Sequence, residues 1–241
     1  MSAKTAVEVK ARLLDLTTGV LELARDGNRD AESVCEVLQI IKDDPLFTSR
    51  FFADVSSQLQ DWQSFYKKFF GLDTDFSGIR IPERKPGFDR LLVPAQGLTP
   101  NVAVSAYRKL GIKVWLYTEN LDSALDWSKE ERNAKNGSYA IWVKDRQEAD
   151  EELKNLSANQ IKEGGLTTET LTERLIHGLV YHSETNHHLD EANVTLCSGS
   201  RDQGSDVPSV CWSGYDGEVC VHWDDPDDSA DGLRSRQVVR P

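Results

Sequence analysis

An α+β protein is the fold class this sequence predicts: a helical N-terminal region at residues 1–75, a small α/β segment at 76–136 and a strand-rich domain at 137–241. Three observations carry that prediction. Apolar residues recur at three- and four-residue spacing up to about Phe70, which is the period of an amphipathic helix. From Gly71 to Asn136 short apolar runs alternate with a capped helical stretch. From Ser138 onward one strand and two helices lead into several short strands, in which large apolar residues hold every second position.

The first helix is read from Val9, Leu13, Leu16, Val20 and Leu23, and the second from Val34, Val37, Leu38 and Ile41. Asp30 is placed to cap the second, and the Asp44–Pro45 junction to end it. A third helix is predicted over 48–70, with an aromatic stripe that includes Phe51, Phe52, Trp62, Phe65, Tyr66 and Phe69. That stripe fits core packing against the other helices, or a docking or oligomer surface. A turn-rich stretch then leads to a buried strand at Leu91 to Ala95. Thr99 and Pro100 match an N-cap followed by proline at the first helical position, and Gly111 stops that helix after Leu110. Ile112 to Tyr117 reads as a strand, and KNGS at 135–138 as a turn at a domain boundary. In the last region the expected elements are a strand at Tyr139 to Val143 and helices at about 147–162 and 170–181. Short strands follow at Val194 to Cys197, Val207 to Trp212, Val219 to Trp223 and Leu233 to Val239.

Composition narrows the function classes. The chain has 241 residues, 39% of them hydrophobic, with mean hydropathy -0.50. A net charge of -12 and a pI near 4.9 oppose attachment to nucleic acid or anionic lipid, which carry the same sign. No window approaches the roughly 18 apolar residues that span a bilayer. Lys4, Glu8, Lys10 and Arg12 interrupt the apolar run a secretory signal would need, so cytoplasmic residence is the default expectation, with virion or surface association open. Cys35, Cys197, Cys211 and Cys220 form no CxxC pair, which argues against a standard zinc or redox motif and fits a reducing compartment. A hairpin disulfide between Cys211 and Cys220 is conceivable.

The strand at 219–223 has two faces of different character. Val219, Val221 and Trp223 fall on one side, and Cys220, His222 and then Asp224 on the other. Around it, Val207, Val210 and Trp212 and, downstream, Leu233, Arg234, Arg236 and Val238 read as framework. The interleaved positions Ser209, Cys211, Ser213, Tyr215, Asp216, Asp228, Ala230 and Gly232 are small or polar residues of no single chemistry.

The order strand, two helices and then short strands, with the last able to pair with the first, resembles the C-type lectin fold. The segments YAIWVKDRQEADEELKNLSANQ, TLCSGSR, VPSVCW, VCVHW and GLRSRQVV resemble the variable proteins of diversity-generating retroelements, chiefly bacterial, archaeal or phage proteins of that fold. The resemblance covers about residues 137–241 and rests most firmly on Gly199, Arg201, Pro208, Trp212, Trp223 and Pro226, with the framework residues named above. It implies that adenines of a template repeat are replaced at random, so that AAY codons become codons for many residues but never a stop. Asp, His, Tyr, Ser, Gly, Cys and Ala are reachable from AAY, and these occupy positions 209, 211, 213, 215, 216, 220, 222, 224, 228, 230 and 232. Lysine and glutamate are not reachable, and between Ser209 and Gly232 only Glu218 appears, at a turn assigned to the framework. The expected function is non-catalytic recognition of a protein or other macromolecule through this solvent-facing surface, with Tyr215 and His222 as anchors. The competing class is a structural or assembly protein that uses the aromatic helix as its contact, and an oligomer is compatible with either.

Other chemistries find less support. His182, His187, His188 and Asp190 cluster at the end of a helix, but their spacing matches no standard metal motif. Asp224 to Asp231 holds five aspartates, yet of the motifs many calcium-binding C-type lectins use, only Trp223-Asp224-Asp225 is approximated. The first strand of the middle segment is followed by a single glycine, too few for a phosphate-binding loop. No GxSxG or HExxH segment is present. No cofactor, no metal and no catalysis are therefore expected.

Overall fold

The computed structural model describes residues 17–27, 30–35, 39 and 55–241. The chain divides into two compact units, Met1–Ala53 and Asp54–Pro241. In the first, residues 17–25 and 31–35 are helical, and the carboxylate of Asp30 accepts the Ser33 amide at 2.7 Å, the expected cap. Val20 and Leu23 of the predicted stripe are exposed. Val9, Leu13, Leu16, Val37, Leu38, Ile41, the Asp44–Pro45 junction, Phe51 and Phe52 lie outside the described residues.

The second unit contains both helices and sheets, as an α+β protein should. Its first helix, α1 (Val55–Phe70), sinks its aromatic stripe into the core: Trp62, Phe65 and Tyr66 are buried. The Trp62 indole donates to the Leu91 carbonyl at 3.0 Å; the Tyr66 hydroxyl donates to the Val93 carbonyl at 2.8 Å and accepts from the Ala95 amide at 3.0 Å. The face that could have served a docking role is thus used internally: Trp62 finds a backbone partner on the following strand and Tyr66 finds two just beyond it, while Phe65 is buried beside them.

Next come β1 (Arg90–Leu92), α2 (Pro100–Lys109), β2 (Lys113–Leu116) and α3 (Leu121–Ala124). Thr99 caps α2 by accepting the Val102 amide, with Pro100 inside the first turn, and Gly111 at φ 77 ends the helix where a side chain would be strained. Then follow β3 (Ile141–Val143), a 3₁₀ turn at Glu151–Leu153, α4 (Ala158–Glu163) and α5 (Leu171–Thr185). The single helix expected at 147–162 is corrected. Lys154 is extended and Asn155 takes φ 60, and Ser157 and Gln160 form a reciprocal capping box that starts a new, shorter helix. A second capping box, Thr170 with Glu173, starts α5, and Asn186 at φ 61 ends it.

The remaining strands are β4 (Val194–Leu196), β5 (Val207–Ser213), β6 (Glu218–Asp224), β7 (Leu233–Arg234) and β8 (Val238–Val239). Two sheets result, a three-stranded one in the order β1-β3-β8 and a five-stranded one in the order β2-β6-β5-β4-β7. The expected pairing of the last strand with the 141–143 strand is present, Val143 facing Val238. The predicted strand at 233–239 is nevertheless two strands in different sheets. The boundaries expected near 75 and 136 do not separate bodies: β1 pairs with β3, β2 with β6, and α1 packs under β1. Arg132 reinforces the join by reaching both carboxylate oxygens of buried Glu173 at 2.7 Å.

Between α5 and the five-stranded sheet lies a buried polar knot. Asp190 accepts from Arg174 Nε at 2.8 Å and from Arg236 Nη2 at 2.6 Å, and also takes a hydrogen bond from the Thr195 hydroxyl. Nearby, His177 Nδ1 sits 2.8 Å from Glu169 Oε1, both wholly buried. Burial pushes the Glu169 carboxyl up to about 8 and holds His177 well below its usual value, so the pair is neutral at neutral pH. A carboxyl whose pKa rises on folding keeps its proton after the unfolded chain has released it, so stability falls as pH climbs from 4.5 towards about 8. His177 acts oppositely, but only below its ordinary 6.5, which leaves pH 6.5 to about 8 as the clear window. Chemical denaturation across that window should show Glu169→Gln losing up to about 1.4 kcal/mol per pH unit of the wild-type decline. An unchanged slope would show that Glu169 is ionised in the fold.

Candidate functional site

The antiparallel register of β5 with β6 decides which side chains share a face. Ser209 stands opposite His222, Cys211 opposite Cys220 and Ser213 opposite Glu218; Val210 faces Val221 and Trp212 faces Val219 on the other side. The inner side is the core side: Val210, Val219 and Val221 are buried, and Trp212 and Trp223 pack partly buried against them. The outer side carries Cys211, Ser213 and His222, all partly exposed, with Asp224 at its end.

Two of the predicted surface residues are corrected. Ser209 is 1% exposed and Cys220 8%. Ser209 shares its face with its register partner Leu196, and Leu196 joins Ala158, Val207 and Leu233 in a second apolar cluster that closes this end of the face. Cys220 sits on the strand between β2 and β5, flanked by Trp115 on one side and Cys211 on the other. The open face is therefore shorter than the alternation alone implies.

At its far end the β5–β6 hairpin carries Tyr215, 98% exposed, beside Asp216. The Ser213 hydroxyl lies 2.7 Å from Asp216 Oδ2 and Gly217 takes φ 65, so the turn is hydrogen-bonded rather than slack. At the opposite end Asp228, Ala230 and Gly232 are exposed on the 225–232 loop. Asn159 Nδ2 holds that loop through Asp227 at 2.6 Å, and Asn155 Nδ2 through Asp231 at 2.7 Å.

Sequence reasoning missed one strand of this face. Parallel pairing sets Trp115 beside Cys220 and Lys113 beside Glu218, and the Tyr117 amide donates to the Val221 carbonyl. Trp115 is 39% exposed, Tyr117 71%, and the Trp115 and His222 rings lie 4.7 Å apart. The alternation of Lys113, Trp115 and Tyr117 with Val114 and Leu116 carries the signal, but which sheet they enter is set by a partner about 100 residues away. These three side chains add two aromatic rings and a cation to the small polar set.

The helix-end histidines do not converge with Asp190. His182, His188 and Trp212 form a continuous stack, with ring centroids 4.5 and 3.5 Å apart, while Asp190 points into the buried knot. Burial, then the neighbouring His182, lowers His188 to about 4, so the stacked ring is neutral at neutral pH. Among the described residues the one group of three close metal-ligand atoms is Cys211, Cys220 and His222, whose donors lie within 4.8 Å of one another. Both cysteines are free, and burial pushes the Cys220 thiol up to about 11 and that of Cys211 upward as well. No helix of the described residues is long and apolar enough to cross a membrane.

No protein-family model matches the chain, and no curated protein or solved structure matches it either.

Proposed function

We propose that this chain is a non-catalytic recognition protein, a variable protein of the diversity-generating retroelement type on a C-type-lectin-like fold. It binds a protein or other macromolecule through the outer face of β6, β5 and β2 and the Tyr215 hairpin. The observation that carries this reading is the separation of chemistry by strand parity: Val210, Val219 and Val221 are buried on one side, and Cys211, Ser213 and His222 reach solvent on the other. A framework so divided can accept new outer residues, because exposed changes usually alter stability by less than about 0.5 kcal/mol whereas core truncations cost several. Tyr215 and His222 supply variable contact area, and Trp115 and Tyr117 supply constant aromatic area beside it. The net charge of -12 disfavours nucleic acid as the ligand.

The competing reading, an assembly protein that docks through the aromatic helix, is weakened because Trp62, Phe65 and Tyr66 are buried beneath β1. Sequences of sibling copies separate the two. Under the recognition reading, differences concentrate at 211, 213, 215, 216, 222, 224, 228, 230 and 232, and a template repeat bears AAY at those codons beside a reverse transcriptase gene. Differences scattered evenly over the chain, with no such repeat, would refute it.

A further inference from the structure

We propose that Cys211, Cys220 and His222 form a three-ligand site for a soft divalent cation of the zinc type, with the fourth tetrahedral position open to solvent or to a donor on a bound partner. The ligand types are right for such an ion: two thiols and one imidazole. The register also places them together without any spacing motif, since Cys211 and Cys220 are direct cross-strand partners and His222 lies two residues along β6 on the same face.

The three donor atoms already lie within 4.8 Å of one another. Around zinc, bond lengths of about 2.0–2.3 Å put tetrahedral ligands about 3.5–3.8 Å apart, so roughly 1 Å of closure by side-chain rotation completes the site. The backbone needs no change, because the ladder from Val207 opposite Asp224 to Ser213 opposite Glu218 fixes both strands. The Trp115 ring, 4.7 Å from that of His222, restricts the imidazole. Cys220 is buried and Cys211 half-buried, while His222 reaches solvent, so the sulfurs are shielded and the remaining coordination position faces outward. Binding the cation releases both thiol protons to solvent, and the two thiolates neutralise its charge. The site stands on this geometry whether or not the face is diversified.

The test is cobalt(II) titration of the full chain under reducing conditions, in a Cys35→Ser background that removes the exposed thiol outside the face. The expected result is one cobalt per chain, with thiolate-to-cobalt charge-transfer absorption and the visible bands of tetrahedral cobalt, displaced by zinc. Cys211→Ser and Cys220→Ser should each lose the charge-transfer band of the two-thiolate site, and His222→Ala should weaken binding and alter the visible bands. His222 is solvent-facing, so its variant keeps the test readable if a cysteine variant misfolds. Absence of the charge-transfer band, a spectrum unaltered in Cys211→Ser and His222→Ala, or a Cys211–Cys220 disulfide that survives reductant would each overturn the proposal. Any of these leaves the recognition reading intact, because that reading is decided by sibling sequences.

Discussion

Replacing Asp190 with alanine is expected to lower the stability of the 54–241 unit by about 3–5 kcal/mol, a large fraction of the roughly 5–15 kcal/mol that keeps an ordinary domain folded. The carboxylate is wholly buried and neutralises two guanidinium groups, Arg174 and Arg236, each 2% exposed. Alanine would leave both charges in a low-dielectric interior with no counter-charge, and the loss comes from that more than from the missing hydrogen bonds. Changing all three together, with Arg174→Met, Asp190→Leu and Arg236→Met, should therefore recover part of it, though Arg236 also serves the carbonyls of Arg146 and Gln147. The knot has an acid limit as well. Burial raises the Asp190 pKa, but Arg236 and Arg174 more than offset this and hold it below 3.8, so its contribution is complete above that pH and is lost as pH falls through the lowered value. Urea denaturation would show it, and a loss under about 1 kcal/mol for Asp190→Ala would mean that the arginines find other partners.

Trp62→Ala should be of similar size, about 3–5 kcal/mol, because it empties a large buried volume and orphans the Leu91 carbonyl. Tyr66→Phe removes one oxygen and should still cost about 1–3 kcal/mol, since the Val93 carbonyl and the Ala95 amide both lose their partner. If the helix were instead an external contact surface, either change would shift stability by less than about 0.5 kcal/mol. The denaturation midpoints of the two variants thus decide whether the aromatic stripe belongs to the core.

What was legible in the sequence was what short-range chemistry determines. Thr99, Pro100 and Gly111 bounded α2 because capping and a left-handed stop are local requirements. Val219 and Val221 declared the buried side of β6 because strand parity needs no knowledge of the neighbours. The helix expected over 147–162 failed since Leu153, Leu156 and Ile161 keep helical spacing through Asn155, which takes a left-handed turn, and the Ser157 and Gln160 pattern that restarts the helix was passed over. Ser209 was misplaced because its register partner Leu196 belongs to a second apolar cluster with Ala158, Val207 and Leu233, an arrangement that alternation cannot assign. Trp115 and Tyr117 were missed, and Cys211, Cys220 and His222 were not seen as a group, for the same reason: cross-strand register, not sequence spacing, makes them neighbours.

The step from Arg234 in one sheet to Val238 in the other has a consequence for biosynthesis. Neither sheet reaches its full strand order until the residues after 232 have left the ribosome, and β2 waits for β6, more than 100 residues later in the chain. A nascent chain stopped just short of β7 would carry unpaired strand edges in both sheets, the condition that invites aggregation. Folding of this domain therefore waits on β7 and β8, and a chain truncated before Leu233 should aggregate rather than fold.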